Sequence, residues 1–196
     1  MMYATKLMMQ GGGMGTIPPY QEPEQTKTYI EDGLIKKVEN SAFGTNILIQ
    51  NIVNGLNAFT YCGTVPFLLN KTVISVIPYT LDIFLYSNNK ITWRNVRTNG
   101  GVIPAADRPI IEDNGIQPYI AVTLRFPTTS SQEVSFDYEG IKINTSVVSV
   151  SYGNYDYASV AVGTSKEVID LGLVYNRVLS PDELAHNYQA FLANHR

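Results

Sequence analysis

The residues best suited to ligand chemistry are three tyrosines interleaved with polar residues in a glycine-containing segment. Residues 152–157 read Tyr-Gly-Asn-Tyr-Asp-Tyr, and a second aromatic group is Trp93, which Arg94 and Asn95 follow. A sugar site needs an aromatic ring that stacks on the pyranose face and polar groups that bind its hydroxyls. The predicted glycan-binding residues are Tyr152, Asn154, Tyr155, Tyr157 and Trp93. The alternatives for residues 152–157 are a β-hairpin tip with cross-strand tyrosine pairs, the commoner arrangement, and a protein interface.

Paired carboxylates are the residues that a glycoside hydrolase would need. A retaining enzyme places two carboxyl groups about 5 Å apart, and alternate residues of one strand can supply them from the same face. Glu112 and Asp113 are adjacent and would face opposite sides of a strand, while Glu167 and Asp170 are offset by three positions. Because neither pair has the required spacing, the sequence predicts no catalytic residues and a protein that is not an enzyme.

The two histidines and the single cysteine do not form a recognisable catalytic or zinc site. His186 and His195 both lie near the C-terminus, off the apolar stripe of a predicted helix, and are expected to be exposed. Cys62 has no partner for an intrachain disulfide and is expected to be a small buried residue in a strand. The absence of a disulfide favours folding in a reducing cytoplasm.

Calcium is the one cofactor that the sequence leaves open, and no other is predicted. Calcium takes oxygen ligands from loops, and Asp113, Asn114, Asn154 and Asp156 could supply them. The same residue types are also ordinary in turns, so they do not define a metal site.

Composition excludes two classes of partner. The net charge is −3, and we find no cluster of Lys and Arg of the kind that neutralises a phosphate backbone, so no nucleic acid is expected. No run of 18 or more apolar residues is present, so no membrane partner is expected.

The chain divides into an N-terminal arm, residues 1–27, and a sandwich domain, residues 28–196. The arm contains the run Gly11-Gly12-Gly13-Met14-Gly15 and then Pro18-Pro19, and it does not read as a signal peptide. Glycine widens the accessible backbone space and proline removes hydrogen-bond donors, so the arm is not expected to fold alone. We expect a neighbouring subunit to hold it, which makes the protein a homo-oligomer.

The pattern from about residue 28 onward predicts an all-β sandwich that ends in one short amphipathic helix. Predicted strands cover residues 45–53, 58–62, 72–77, 81–86, 91–96, 119–126, 134–138, 141–143, 147–152, 159–162 and 168–175. Ser180-Pro181-Asp182-Glu183 forms a capping box, with proline at the first helical position. The apolar stripe that follows, at i, i+4, i+7 and i+8, predicts a helix of about three turns on a sheet.

The C-terminal third resembles the closing motif of laminin-G-like and concanavalin A-like lectin domains. Residues 170–184 end a strand with Tyr-Asn-Arg-Val-Leu-Ser and run into the helix that carries Asn187-Tyr188. Residues 119–124, 136–140 and 160–163 resemble the family's central strand, hairpin and glycine-ended strand, and residues 29–35 resemble its entry. The resemblance implies a jelly-roll β-sandwich of the kind found in phage structural proteins and gut-bacterial surface proteins. Arg177 and Asn187 are expected to pin the helix and cap loop backbone groups rather than bind ligand.

Two functions follow as expectations. The first is a virion structural protein, namely a phage capsid decoration, head-fibre or tail component, which is made in the host cytoplasm. It would bind other virion or assembly proteins through its arm and contact host glycans. The second is a carbohydrate-binding module of a bacterial surface or secreted protein. Fold alone does not decide between them.

Overall fold

The computed structural model describes residues 28–42, 47–50, 58–77, 81–95, 100–101, 103–128, 131–149, 157–162 and 167–196. Twelve strands and one helix lie within these ranges. In chain order they are β1 (Leu34–Ala42), β2 (Ile47–Gln50), β3 (Ala58–Thr64), β4 (Lys71–Ile77), β5 (Leu81–Leu85), β6 (Ile91–Asn95), β7 (Gly100–Gly101), β8 (Tyr119–Thr128), β9 (Ser131–Tyr138), β10 (Ile141–Ser149), β11 (Tyr157–Val162), β12 (Val168–Tyr175) and α1 (Pro181–His195). The predicted arm, residues 1–27, lies outside the described residues.

The strands form two six-stranded sheets, and within each sheet all neighbouring strands are antiparallel. The first sheet has the order β1-β12-β3-β8-β9-β10, and the second has the order β2-β11-β4-β5-β6-β7. The chain crosses between the sheets several times, while β4–β7 and β8–β10 are runs of neighbouring strands. The predicted all-β sandwich with a C-terminal helix is confirmed.

The main core lies between the sheets and follows from the period-two alternation of the strands. In β9, Val134 and Phe136 are fully buried in this core, whereas Glu133, Ser135 and Asp137 are only half-buried. The largest side chains of this core are those of Trp93, Tyr61 and Phe136.

A second core lies under α1, on the outer face of the first sheet. Ala190 and Phe191 of the helix are buried against Tyr119 and Leu173, and the helix begins with both hydrogen bonds of the predicted capping box. The helix has 15 residues and is therefore longer than the expected three turns. Among the described residues, no helix has the length and apolar character needed to cross a membrane.

Three strands differ from the prediction: β1 and the two-residue β7 were not predicted, and β10 replaces two predicted strands. β1 was missed because its residues alternate poorly, with only Val38 buried along nine positions. The segments 141–143 and 147–152 were predicted as separate strands, but residues 141–149 form the single strand β10 with an irregularity between Lys142 and Asn144. An irregularity of this kind bends a strand without ending it.

Gly140 allows the β9–β10 turn to approach the helix. Its φ is +75°, and a Cβ at this position would lie 2.3 Å from Cδ1 of Tyr188. Gly115 has nearly the same φ, +79°, but a Cβ there would meet nothing within 4 Å. Both glycines therefore have a positive φ that disfavours a side chain, but only at Gly140 would an added Cβ contact α1.

We expect Gly140→Ala to destabilise the protein more than Gly115→Ala, as measured by urea unfolding. Gly115→Ala should cost about 1–2 kcal/mol, because a Cβ is strained at positive φ. Gly140→Ala should cost about 1–3 kcal/mol more, because Tyr188 has to move away from the turn. Equal losses in the two variants would mean that the contact between the turn and α1 does not contribute.

Candidate functional site

The candidate site is a groove of about 310 Å³ on the outer face of the first sheet, beside the first turns of α1. We call it the outer groove. Its floor is formed by β8, β9 and the start of β10, and its wall by α1 and the loop that precedes it. The lining residues are Tyr119, Ala121, Thr123, Arg125, Glu133, Ser135, Asp137, Gly140, Lys142, Val178, Leu179, Pro181, Leu184 and Ala185.

The floor consists of cross-strand rows of polar side chains. Asp137 pairs with Ala121 of β8 on one side and with Lys142 of β10 on the other. The next row contains Thr123, Ser135 and Thr145, in which the hydroxyl oxygens of Ser135 and Thr145 are 2.7 Å apart. The third row contains Arg125 and Glu133. Because side chains in one row are close neighbours, the register concentrates polar groups on this part of the sheet.

The wall is apolar, and the residues that start the helix hold it in position. Ser180 accepts a hydrogen bond from the backbone N–H of Glu183, and the Glu183 carboxylate accepts one from the N–H of Ser180. Arg177 donates to both carboxylate oxygens of Glu183, at 2.9 and 2.6 Å. The wall residues that this arrangement presents to the groove are Val178, Leu179, Pro181, Leu184 and Ala185.

Buried polar contacts fix the same loop from below. The Thr60 hydroxyl donates to the carbonyl of Arg177 at 2.8 Å and accepts from the N–H of Leu179 at 3.0 Å. Asn187 accepts from the N–H of Ile30 at 2.9 Å and donates to the Tyr175 hydroxyl. The predicted structural roles of Arg177 and Asn187 are therefore confirmed, since one pins the helix and the other caps loop backbone.

Asp137 and Tyr119 are the lining residues of the groove that have a buried side-chain oxygen without a hydrogen-bond partner among the described residues, and Asp137 is the ionisable acid of the two. The carboxylate of Asp137 is the stronger acceptor. Its Oδ1 atom is buried and accepts no hydrogen bond within the part of the chain that the structure describes. Burial raises the pKa of this carboxyl above its usual range, and the charge of nearby Lys142 opposes that change. A buried acceptor without a donor costs stability, so such a group is a candidate ligand contact.

The charges of the groove balance. Arg125 donates to both carboxylate oxygens of Glu133, at 2.8 and 2.7 Å. Lys142 pairs with Asp137 in the strand register. The four charged residues of the lining are thus two cations and two anions.

The acidic residues Glu133 and Asp137 were not among those predicted from the sequence. The sequence pattern that could have revealed them is the strict alternation of Glu-Val-Ser-Phe-Asp at residues 133–137. This alternation puts both carboxylates on one face of β9. Positions four apart in a strand are about 13 Å apart along the chain. This exceeds the separation of about 5–9.5 Å that glycoside hydrolases use, and Glu133 is already bound to Arg125.

Two other cavities each contain a titratable side chain that is bound within the protein. One, of about 410 Å³, contains Glu139, which accepts from the Tyr119 N–H, the Tyr188 hydroxyl and Arg196. The other, of about 460 Å³, contains His195, whose Nε2 is 3.0 Å from the Tyr29 hydroxyl. Neither offers a buried carboxylate oxygen comparable to that of Asp137, so we favour the outer groove.

The predicted tyrosine-rich site lies mostly outside the described residues. Tyr152, Asn154 and Tyr155 are not described, and Tyr157 is the first residue of β11 in the second sheet. Trp93 is 1% exposed and belongs to the core between the sheets, which corrects its interpretation as a stacking surface, because a sugar cannot reach a ring buried there. Its neighbour Arg94 forms an ion pair with Asp82 at 2.8 Å.

The histidine prediction is partly wrong, and the cysteine prediction is confirmed. His186 is exposed, but the side chain of His195 is only 14% exposed and stacks on Phe191. Cys62 is fully buried, and burial raises the pKa of its thiol to about 12, so it stays protonated.

Calcium binding remains a prediction. Asp113 and Asn114 are exposed, while Asn154 and Asp156 lie outside the described ranges. Within those ranges, no group of three or more His, Cys, Asp or Glu side chains is arranged to hold a metal ion.

Comparison with known proteins gives the fold and no family. No protein-family model matches the chain, and no curated protein is similar enough in sequence to match it. Among solved structures, the chain is similar to Trypanosoma rangeli sialidase, with a TM-score of 0.53, 15% identity and coverage of 82% of this chain and 33% of that chain. The same sialidase in complex with 2,3-difluorosialic acid as a covalent intermediate matches with a TM-score of 0.53, 15% identity and coverage of 88% and 35%.

A toxin domain has a similar sandwich at lower similarity. It is the receptor-binding domain of botulinum neurotoxin type G, with a TM-score of 0.39, 13% identity and coverage of 80% of this chain and 45% of that chain. A TM-score at this level carries no argument about function. The sialidase matches, whose TM-scores are above 0.5, agree with the all-β sandwich fold of this chain.

These neighbours correct the prediction that the protein is not an enzyme. The first solved structures that match are sialidases, so the fold cannot be used to exclude enzymes. The chain spans about a third of the length of these sialidases. At 15% identity the likeness shows the fold alone, so an enzymatic function of this chain is not established.

The ion pair that holds the groove wall gives a prediction about acid stability. The hydrogen bonds from Arg177, followed by those at Ser180, lower the pKa of Glu183 to about 2. Because the folded-state pKa lies below the unfolded value, Glu183 stabilises the protein at neutral pH. That contribution is lost as the pH falls from the unfolded pKa toward 2. We expect Glu183→Gln to lower the free energy of unfolding at pH 7 and the loss to shrink as the pH approaches 2.5.

Urea unfolding at a series of pH values between 2.5 and 7 measures this dependence. Glu112→Gln is the matched control, since Glu112 is exposed in a loop and the change of side chain is identical. A difference between Glu183→Gln and the parent protein that is the same at every pH would contradict the assignment.

Proposed function

We propose that this chain is a glycan-binding module and that the outer groove is its binding site. The observation that carries the proposal is the buried Oδ1 atom of Asp137, which lacks a donor within the described part of the protein. Sugar hydroxyls are donors of the right size, and a buried carboxylate forms strong, charge-assisted hydrogen bonds with them.

The lining of the groove also fits a sugar ring. A pyranose has apolar C–H faces and a polar edge of hydroxyls. The wall of the groove offers Pro181 and Leu184, and its floor offers Ser135 and Thr123 as hydrogen-bonding partners. Sites of this kind are mostly pre-formed, with few polar groups that set orientation, and a volume of about 310 Å³ suits a short glycan segment.

We expect Asp137→Asn to weaken glycan binding by about 10- to 100-fold without destabilising the protein. The substitution replaces a carboxylate acceptor with an amide of the same shape, so the ligand loses a charge-assisted hydrogen bond worth about 1.5–3 kcal/mol. Because the buried carboxylate is unfavourable in the folded state, the variant should melt at the same temperature as the parent protein or higher at pH 7. Glycan-array binding and thermal unfolding of both proteins test this.

Three comparisons locate the site and test the cofactor. Glu112→Gln makes the matched carboxylate-to-amide change at an exposed residue outside the groove and should leave binding unchanged. Tyr155→Ala tests the tyrosine-rich segment, and loss of binding in that variant alone would move the site there. Binding that disappears in the presence of a chelator and returns with calcium would support the calcium prediction.

We also propose an assembly role, in which the chain is a structural component of a virion such as a phage capsid decoration, head fibre or tail. Two features support it: the glycine- and proline-rich composition of residues 1–27, and the exposed position of Thr28, whose carbonyl is 2.8 Å from Nε2 of His186. The arm would extend from the surface beside α1 and bind a second copy or another virion protein. The two roles are compatible, since a virion surface protein can also bind host glycans.

We expect the full chain to be oligomeric and a variant that starts at residue 28 to be monomeric, because the binding energy of an arm depends on burial in its partner. Light scattering at matched concentrations measures the mass of each. Thermal unfolding of the shortened variant confirms that its sandwich is intact. A monomeric mass for both proteins would show that the arm does not mediate self-association.

A further inference from the structure

We infer that the ligand of the outer groove is an uncharged glycan, and that the groove discriminates against sugars that carry a carboxylate. This inference rests on the proposed function and specifies the chemical class of its ligand. It depends on the charged and polar groups that a carboxylated sugar would meet at the wall and floor.

The first such group is Arg125, one edge of which is occupied. Its Nε and one terminal nitrogen donate to the two carboxylate oxygens of Glu133, at 2.8 and 2.7 Å. A bidentate pair of this kind takes one edge of the guanidinium and leaves the other edge beside the Glu133 carboxylate. An acidic ligand would therefore bind Arg125 next to that carboxylate or have to displace it, and the repulsion between the two anions disfavours either arrangement.

The second group is Lys142, whose neighbour across the strands is Asp137. Its charge acts on the Asp137 carboxyl, since it opposes the effect of burial there. A sugar carboxylate placed near Lys142 would also lie near Asp137, and repulsion between the two anions would offset the attraction to the lysine.

The third group is the N-terminus of α1, which forms one wall of the groove. Free backbone N–H groups at a helix N-terminus attract anions. Here the first turn carries Asp182 and Glu183, and the capping box provides partners for the N–H groups of Ser180 and Glu183. The first turn therefore carries two acidic side chains, and the N–H groups of Ser180 and Glu183 are not available to an anion.

An uncharged glycan meets none of these obstacles. Its hydroxyls can donate to Asp137 and exchange hydrogen bonds with Ser135 and Thr123, while the Arg125–Glu133 ion pair remains in place. Since no net charge is transferred into the groove, binding should depend little on ionic strength.

The experiment uses the full chain and a glycan array that holds matched pairs, each a neutral oligosaccharide and its carboxylated form, such as lactose and sialyllactose. The affinities of the best pair are then measured by titration calorimetry at about 0.05 and 0.5 M salt, where screening differs strongly. We expect the neutral member to bind more tightly and its affinity to be nearly unchanged by salt. Asp137→Asn should weaken that binding, which places it in the groove.

Glu133→Gln supplies a gain-of-function test. It releases Arg125 from its anionic partner and leaves one uncompensated cation in the groove. We expect the ratio of acidic to neutral affinity to rise by roughly tenfold, which corresponds to one charge-assisted hydrogen bond. The increase should shrink at high salt, and thermal unfolding of the variant confirms its fold.

The outcomes separate the inference from the proposed function. If the parent protein binds the carboxylated member more tightly, and Asp137→Asn changes that binding, the groove is a glycan site but the inference of an uncharged ligand is wrong. An acidic-to-neutral ratio that Glu133→Gln leaves unchanged also overturns it. If the parent protein binds no glycan of either class, the proposed function itself fails.

Discussion

The structure of the outer groove depends on a few buried polar contacts that join α1 to the first sheet. Thr60 is fully buried and binds both the carbonyl of Arg177 and the N–H of Leu179, so it fixes the chain between β12 and the helix. Asn187 is also fully buried and connects the helix to Ile30 and Tyr175. Each unmade hydrogen bond at such a site costs about 1–3 kcal/mol. The helix consequently has one position on the sheet, and its first turns form a defined wall.

Asp137 shows the opposite relation between burial and hydrogen bonding. Thr60 and Asn187 are buried with partners, whereas Oδ1 of Asp137 is buried without one in the described part of the chain. A residue selected only for stability at this strand position would be apolar or would have a donor nearby. Buried polar groups that lack a partner tend to lie at functional sites. The buried oxygen of Asp137 is therefore a stronger argument for the outer groove than cavity volume is for the two larger cavities.

The sequence predicted the parts of this arrangement that depend on local signals. The capping box, Arg177 and Asn187 lie within one short segment, so their roles could be inferred from spacing alone. The groove could not be inferred, because it combines β8, β9, β10 and the start of α1 through the strand register. The mistaken role of Trp93 has a related cause, since its burial depends on the packing of two sheets and not on the polar residues that follow it.

Tyr157 and the outer groove lie in different layers of the sandwich. Tyr157 begins β11, which lies between β2 and β4 in the second sheet, whereas the outer groove is on the far side of the first sheet. Packed sheets are about 10 Å apart, and side chains of the main core fill the space between them. A sugar in the groove therefore cannot reach across this core to β11. On the proposed function, recognition in the groove relies on hydrogen bonds and the apolar wall, with a ligand that leaves the Arg125–Glu133 ion pair intact.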